Sequence, residues 1–287
     1  MSSEVTALLA AISFALFAVY GWLGLRHSTP LTATIVSLVA RTITLGSAVI
    51  LFGGVPGFAL KALVVFIILG LMQTVISLLT FVGLQKIGTS RSQPLRNSYP
   101  LWSSVIAITL LGERAGGAVL LGTLLVVVGV VMISWKPETA PPNYRWWHIV
   151  YSLLAGFLAG VAFPLRRYGL TITNEPVFFS FIVAIVSVIG TIPYTLRTAG
   201  ERKLIWHRRA VGDFFLSGFF EALGALFTLL ALTSGRVVIV SPIVATTPLF
   251  SLLLSLLFLR GKEKITALTV LGTIAVVGGT IAIALWR

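Results

Sequence analysis

Apolar runs of about 20 residues recur along these 287 residues, and that is the length at which a helix crosses a bilayer core of about 30 Å. Ten can be counted, at about 5–25, 31–52, 61–84, 93–111, 116–135, 147–168, 176–197, 211–234, 237–259 and 265–286. Each is continuous, whereas a barrel strand is short and alternates in polarity. Charged residues make up 10% of the chain and hydrophobic ones 57%, against about 25% charged in a soluble domain. The reading is an all-α polytopic membrane protein whose first partner is the lipid bilayer. The first run follows MSSEV, with no Lys or Arg before it. A cleavable leader has a basic start and a shorter core, so this run reads as the first span.

The net charge of +13 sits mostly between the runs. That pattern suits loops against anionic lipid and gives no footprint for nucleic acid. Lys and Arg divide unevenly between alternate loops, fourteen on one side and six on the side that carries both termini. By the positive-inside rule the fourteen face the cytoplasm and the termini face outside. Cysteine is absent, which removes disulfides, thiolate catalysis and thiolate metal sites. His27, His148 and His207 all fall at span ends or in loops, and no HExxH, GxSxG or P-loop occurs. The chain therefore reads as no enzyme, with no cofactor and no metal.

A repeat organises the runs. Shifted by 148, GLMQTVISLLTFVGL (70–84) lies on GFFEALGALFTLLAL (218–232), and Gln73 meets Glu221. The same shift lays PLRNSYPLWS (94–103) on PIVATTPLFS (242–251), so Pro94 meets Pro242 and Pro100 meets Pro248. A two-residue insertion then moves the shift to 150, where Glu113 meets Glu263, LGT at 121–123 meets LGT at 271–273, and Gly129 meets Gly279. The halves are 1–135 and 147–287, joined by a linker at 136–146 that includes three prolines. Five spans per half is odd, so the second half must enter the membrane from the opposite side. Two inverted five-helix repeats are an architecture of secondary transporters. With both repeats fused, one chain can work as a monomer.

Candidate site residues follow from depth. Arg41 and Glu221 each lie eleven residues into an apolar run. Charges there are costly, so they line a pathway or find a partner. Arg41 could attract a carboxylate and Glu221 a cationic group. Alternatively the two pair with each other and hold the bundle together. Asn97, Tyr99 and Trp102 stand beside the proline pair, with Gln73 and Phe163 as further candidates for substrate contact. Pro94, Pro100, Pro242 and Pro248 interrupt helices four and nine. A proline frees a carbonyl one turn back, and freed backbone at depth is tolerated only beside protein or a wet cavity. They read as two hinges, one near each membrane face; a static kink is the other reading. G156-F-L-A-G160 reads as a helix-packing face, and Gly122, Gly129, Gly272 and Gly279 as a seam between the fifth and tenth helices. On this reading, neutralising Glu221 or changing Trp102 to Ala cuts transport while protein yield holds.

The stretch GLQKIGTSRSQPLRNSYPLWSSVIAITLLGERAGGAVLLGTLLVVVGVVMI (83–133) resembles the EamA type of the drug/metabolite transporter superfamily. The proline of the fourth helix, the turn Leu111-Gly112-Glu113, the G-x6-G of the fifth helix and the arginine at 41 carry the resemblance; the second copy departs from it with LRGKEK at the turn. The resemblance covers essentially the whole chain. It implies a ten-helix carrier of the bacterial-type inner membrane, with a central site between halves and with cytoplasmic termini, the reverse of the loop count. It implies a small-molecule substrate, with export of amino acids as the leading function. The YddG-like exporters of aromatic amino acids are one home it offers. A translocator of drugs or lipid-like amphiphiles is the alternative, and a membrane enzyme or assembly factor the third reading.

Overall fold

A computed structural model describes residues 2–52, 56–87, 92, 95–134, 145–199, 204–258 and 266–285. Gln93, Pro94, Glu263 and all of the 136–146 linker except its last two residues lie outside the described residues. The fold is all-helical: α1 Ser3–Leu25, α2 Pro30–Phe52, α3 Leu60–Ile87, α4 Tyr99–Leu110, α5 Gly117–Ser134, α6 Ile149–Ile172, α7 Pro176–Ala199, α8 Arg208–Ser234, α9 Val237–Val244, α10 Thr247–Phe258 and α11 Ala267–Leu285. Among the described residues, seven segments are long and apolar enough to cross a membrane, one of them spanning α9 and part of α10. Three shorter apolar helices, Tyr99–Leu110, Gly117–Ile133 and Ala267–Ile283, account for the other expected runs. At 1.5 Å per residue, the 12 residues of α4 cover about 18 Å, short of a hydrocarbon core.

The expected kinks in helices four and nine are turns that interrupt the helical hydrogen bonding. The first lies at Asn97–Ser98 and the second at Ala245–Thr246, with Ser98 and Ala245 keeping right-handed helical backbone angles; a shift of 148 superimposes them. The bonding is duplicated as well. Ser98 donates its N–H to the Leu95 carbonyl (3.3 Å) and its hydroxyl to the same oxygen (2.7 Å). Thr246 does the same to Ile243, at 3.1 Å and 2.7 Å. Pro100 and Pro248 are then the second residues of α4 and α10. A proline in a first helical turn forfeits no hydrogen bond, because no partner for its N–H exists there. These two prolines start helices instead of bending them, whereas Pro242 lies inside α9.

The fifth and tenth spans cross as expected. A Cβ on Gly122 would stand 2.8 Å from the Gly279 carbonyl oxygen, and one on Gly129 would stand 2.6 Å from that of Gly272. Numbers rise along α5 as they fall along α11, so these repeat-related helices are antiparallel, as inversion of the two halves requires. Bare glycine at the crossing lets the backbones approach until dispersion and Cα–H···O contacts hold them. The other inter-half interfaces are also mates. Ser37 of α2 donates to the Phe214 carbonyl of α8 (3.1 Å), and Thr74 of α3 donates to the Ser187 carbonyl of α7 (3.3 Å).

One turn locks the halves at a membrane face. Gly112 adopts φ +65°, a left-handed conformation that favours glycine. Around it, the N–H groups of Leu111 and Glu113 both reach the Ala107 carbonyl at 3.1 Å, closing α4. The turn delivers the Glu113 carboxylate to the start of α9, where it accepts from the N–H groups of Val237 (2.9 Å) and Val238 (3.1 Å). A carboxylate on free N–H groups at a positive helix end is a strong cap. Changing Glu113 to Ala is expected to cost about 1–2 kcal/mol, read as a lower melting temperature in detergent; an unchanged melt would remove the cap from the account.

Candidate functional site

The first break and three helices meet on one charged cluster. Arg41 of α2 donates from Nη1 to Oε1 of Glu221 on α8 at 3.0 Å, with side chains 5% and 19% exposed. The ion-pair reading of these two residues therefore describes their geometry. The pair uses only part of each group, and Nε of Arg41 is buried with no hydrogen-bond partner among the described residues. Beside Glu221, Phe220 stacks on Tyr20 of α1 with centroids 5.6 Å apart.

The second part comes from α6. Gly156 takes the backbone of Leu95 and Arg96 against it: a Cβ there would stand 2.9 Å from both carbonyl oxygens. Gly160 takes Tyr99, whose carbonyl oxygen would lie 3.0 Å from such a Cβ. The small-residue face seen in the sequence therefore seats the broken helix. One turn further along α6, Phe163 is buried and stacks flat on Tyr99, with centroids 5.3 Å apart and planes 10° apart. Phe163 and Arg166 are three residues apart and share one helix face. The Arg166 guanidinium lies over the Phe163 ring at 5.4 Å, a cation–π distance.

Arg96 and Arg166 complete the cluster. Arg96 is in electrostatic reach of Tyr99 and Glu221, and Arg166 of Arg41 and Tyr99. Their Nε atoms are buried without hydrogen-bond partners, like that of Arg41. By contrast Arg167, next in sequence, points its Nη1 at the Leu232 and Thr233 carbonyls, 2.6 Å from each. It caps the end of α8, a common use for a cation at a helix C-terminus.

Of the residues expected at the site, Arg41, Tyr99, Phe163 and Glu221 come together. Asn97 lies in the break itself, half-buried. Gln73 is half-buried on α3, beside the Thr74 contact with α7. Trp102 is 41% exposed and meets Phe157 edge-on at 5.4 Å, on the outer side of the α4–α6 pair. The loop count took in both Arg96 and Arg166, although Arg96 also stands among the unshared residues between the duplicated prolines, where the sequence points to substrate contact. The signal for Arg166 was its spacing from Phe163 inside an apolar run, and for Arg96 its place between two duplicated prolines. Away from the cluster, a groove of about 310 Å³ between the first turns of α3 and the end of α6 is lined by Leu60, Lys61, Val64, Val65, Tyr168 and Ile172. None of the cluster residues lines it.

Comparison with known proteins agrees with this architecture. A solved crystal structure, described only as that of a protein, superimposes with a TM-score of 0.80 over 99% of this chain and 96% of its own, at 15% sequence identity. Likeness at that identity shows a shared fold. A search of curated protein sequences finds no significant match. The profile of the EamA-like transporter family matches twice, over residues 1–135 and 146–285. The two matches fall on the two halves that the duplicated prolines and the glycine seam define, and this multi-pass membrane chain belongs to the EamA-like transporter family.

Proposed function

We propose that the chain is a secondary transporter that exports small carboxylate-bearing metabolites by alternating access, with amino acids, aromatic ones included, as the leading class. The observation that carries this reading is the cluster of buried Arg41 with half-buried Arg96, Arg166 and Glu221 beside the Tyr99–Phe163 stack. It draws on α2 and the first break from one half and on α6 and α8 from the other. A guanidinium offers a planar fork that matches a carboxylate, and the aromatic stack offers a flat apolar wall. Charges that are costly at membrane depth commonly mark a substrate path. YddG-like export of aromatic amino acids is the finest form of the reading, and a bacterial-type inner membrane its setting. Gating falls to the interrupted helices, with Pro94, Pro100, Pro242 and Pro248 setting where each can swing and a monomer sufficing.

Counterflow of radiolabelled amino acids into proteoliposomes tests the reading, and no counterflow with any of them would sink it. Within the site, Tyr99→Ala is expected to slow uptake about tenfold, since losing a ring pair and its buried area exceeds about 1.4 kcal/mol. Trp102→Ala, on the outer side, is expected to slow it less than about threefold. Equal losses would bring Trp102 into the substrate path.

A further inference from the structure

The three arginines outnumber the carboxylate that serves them. Arg41 is bonded to Glu221, Arg96 lies in reach of Glu221 and Tyr99, and Arg166 lies in reach of Arg41 and Tyr99, so among the described residues Glu221 is the one carboxylate that this cluster of three guanidiniums contains. Guanidinium does not give up its proton in proteins, so the cluster carries an excess of two positive charges. Among the described residues, none of the three buried Nε–H groups finds an acceptor. A buried donor left unmade is expensive, and a charged one more so. A site built this way is incomplete until an anion enters it.

We propose that the preferred substrate is a small organic dianion, either a dicarboxylate or a phosphate monoester. The proposal rests on the reading of the chain as a transporter and departs from the amino acids that lead that reading's substrate class. A neutral zwitterion brings a carboxylate but also an ammonium, and leaves the excess charge where it was. A monoanion removes half of it. A dianion removes all of it and supplies enough oxygen atoms to accept from three guanidiniums. The Arg41–Glu221 bond supports the same conclusion. Glu221 already spends an oxygen on Arg41, so it serves the site better as a fixed counter-charge than as a receptor for a substrate ammonium. The Tyr99–Phe163 stack, with the Arg166 guanidinium over the Phe163 ring, bounds the site with flat walls and favours a compact body.

The purified full-length protein in detergent gives the test. Melting temperature is followed against succinate, glycerol phosphate, phenylalanine and lysine at matched ionic strength. Half-maximal stabilisation by succinate or glycerol phosphate is expected at a concentration at least about tenfold lower than for phenylalanine, because each added charge-assisted bond is worth that much. Arg166→Gln and Arg96→Gln are each expected to abolish that preference. Arg166→Lys keeps the charge and is expected to retain part of it, which keeps the test sound if a glutamine variant fails to fold. Response to succinate alone assigns the dicarboxylate, and to glycerol phosphate alone the phosphate ester. Equal or tighter binding of phenylalanine or lysine, no binding of either dianion, or an unchanged preference in folded Arg166→Gln and Arg96→Gln overturns the proposal. Counterflow separates it from the parent reading. Amino-acid exchange that neither dianion inhibits overturns the charge class and leaves the transporter. Dianion binding without counterflow of any solute overturns the transporter and leaves the charge class.

Discussion

Glu221→Gln is expected to destabilise the folded protein by about 3–5 kcal/mol, the usual consequence of removing one partner from a buried ion pair. The loss is less the value of the Arg41 contact than the cost of stranding Arg41, 5% exposed, with its Nε already unpartnered. Sequence reasoning alone expected transport to fall with protein yield intact. The geometry changes that expectation, and both should fall. Replacing both partners, as in Arg41→Met with Glu221→Leu, leaves no orphan and is expected to recover most of the melting temperature, since apolar replacements of buried pairs are often neutral. Transport should stay lost in the double variant, because the cluster has lost its fixed counter-charge. Melting curves and counterflow on the same preparations read the two effects apart. A Glu221→Gln protein as stable as the parent would show that the pair is not structural.

The second large effect is expected at the glycine seam, and it comes with an internal control. Gly279→Ala places a methyl 2.6 Å from the Gly122 carbonyl oxygen and 2.9 Å from the Val126 nitrogen, whereas at Gly278 an added Cβ meets nothing within 4 Å. The contacts at Gly279 include the backbone of a straight helix, which cannot turn aside as a flexible side chain can. Overpacking of this kind costs about 1–3 kcal/mol, and Gly279→Ala should lower the melting temperature accordingly. Gly278→Ala, one residue away on the same helix, should match the parent or exceed it slightly, since alanine favours helix by about 1 kcal/mol over glycine. Identical behaviour of the two variants would mean that α5 and α11 do not meet at this crossing.

Much of the architecture was legible because the signals were duplicated. Pro100 and Pro248 could be aligned with no structural information, and so could the glycines of the seam. The breaks themselves were not legible as breaks. A proline in an apolar run reads as a kink, and only the hydroxyls of Ser98 and Thr246, each returning to a carbonyl three residues back, show that the helix stops and restarts. The cluster was half legible. Arg41 and Glu221 stood out because apolar residues surround them. Arg96 stood out only as one of the unshared residues between the duplicated prolines, and Arg166 not at all, because each lies near the end of a run, where a charge ordinarily reaches water. What turns Arg166 inward is tertiary: α6 continues to Ile172, its neighbour Arg167 takes the end of α8, and Phe163 holds the guanidinium on the inner face. Glu113 was visible as half of a repeated pair, but its use on the N–H groups of Val237 and Val238 depends on a contact between halves that no single-helix pattern encodes.

The two interrupted helices share a backbone but not a chemistry, and under the proposed alternating-access mechanism this makes the two end states unequal. Around the first break stand Arg96, Asn97 and Tyr99, half-buried; their mates at the second are Val244 and Ala245, both buried, and Thr247, half-buried. If the halves trade conformations as proposed, one state is expected to wet the first break and the other the second. Water solvates an arginine and gains nothing from a valine, so on that reading the empty protein is expected to rest with the first break open. A bound counter-ion would remove that preference, which would discourage the empty protein from crossing alone, the condition for moving cargo without slippage. Spin labels on the two membrane faces would report it as a single dominant distance without ligand and two with it; two equal populations in the empty protein would refute the bias.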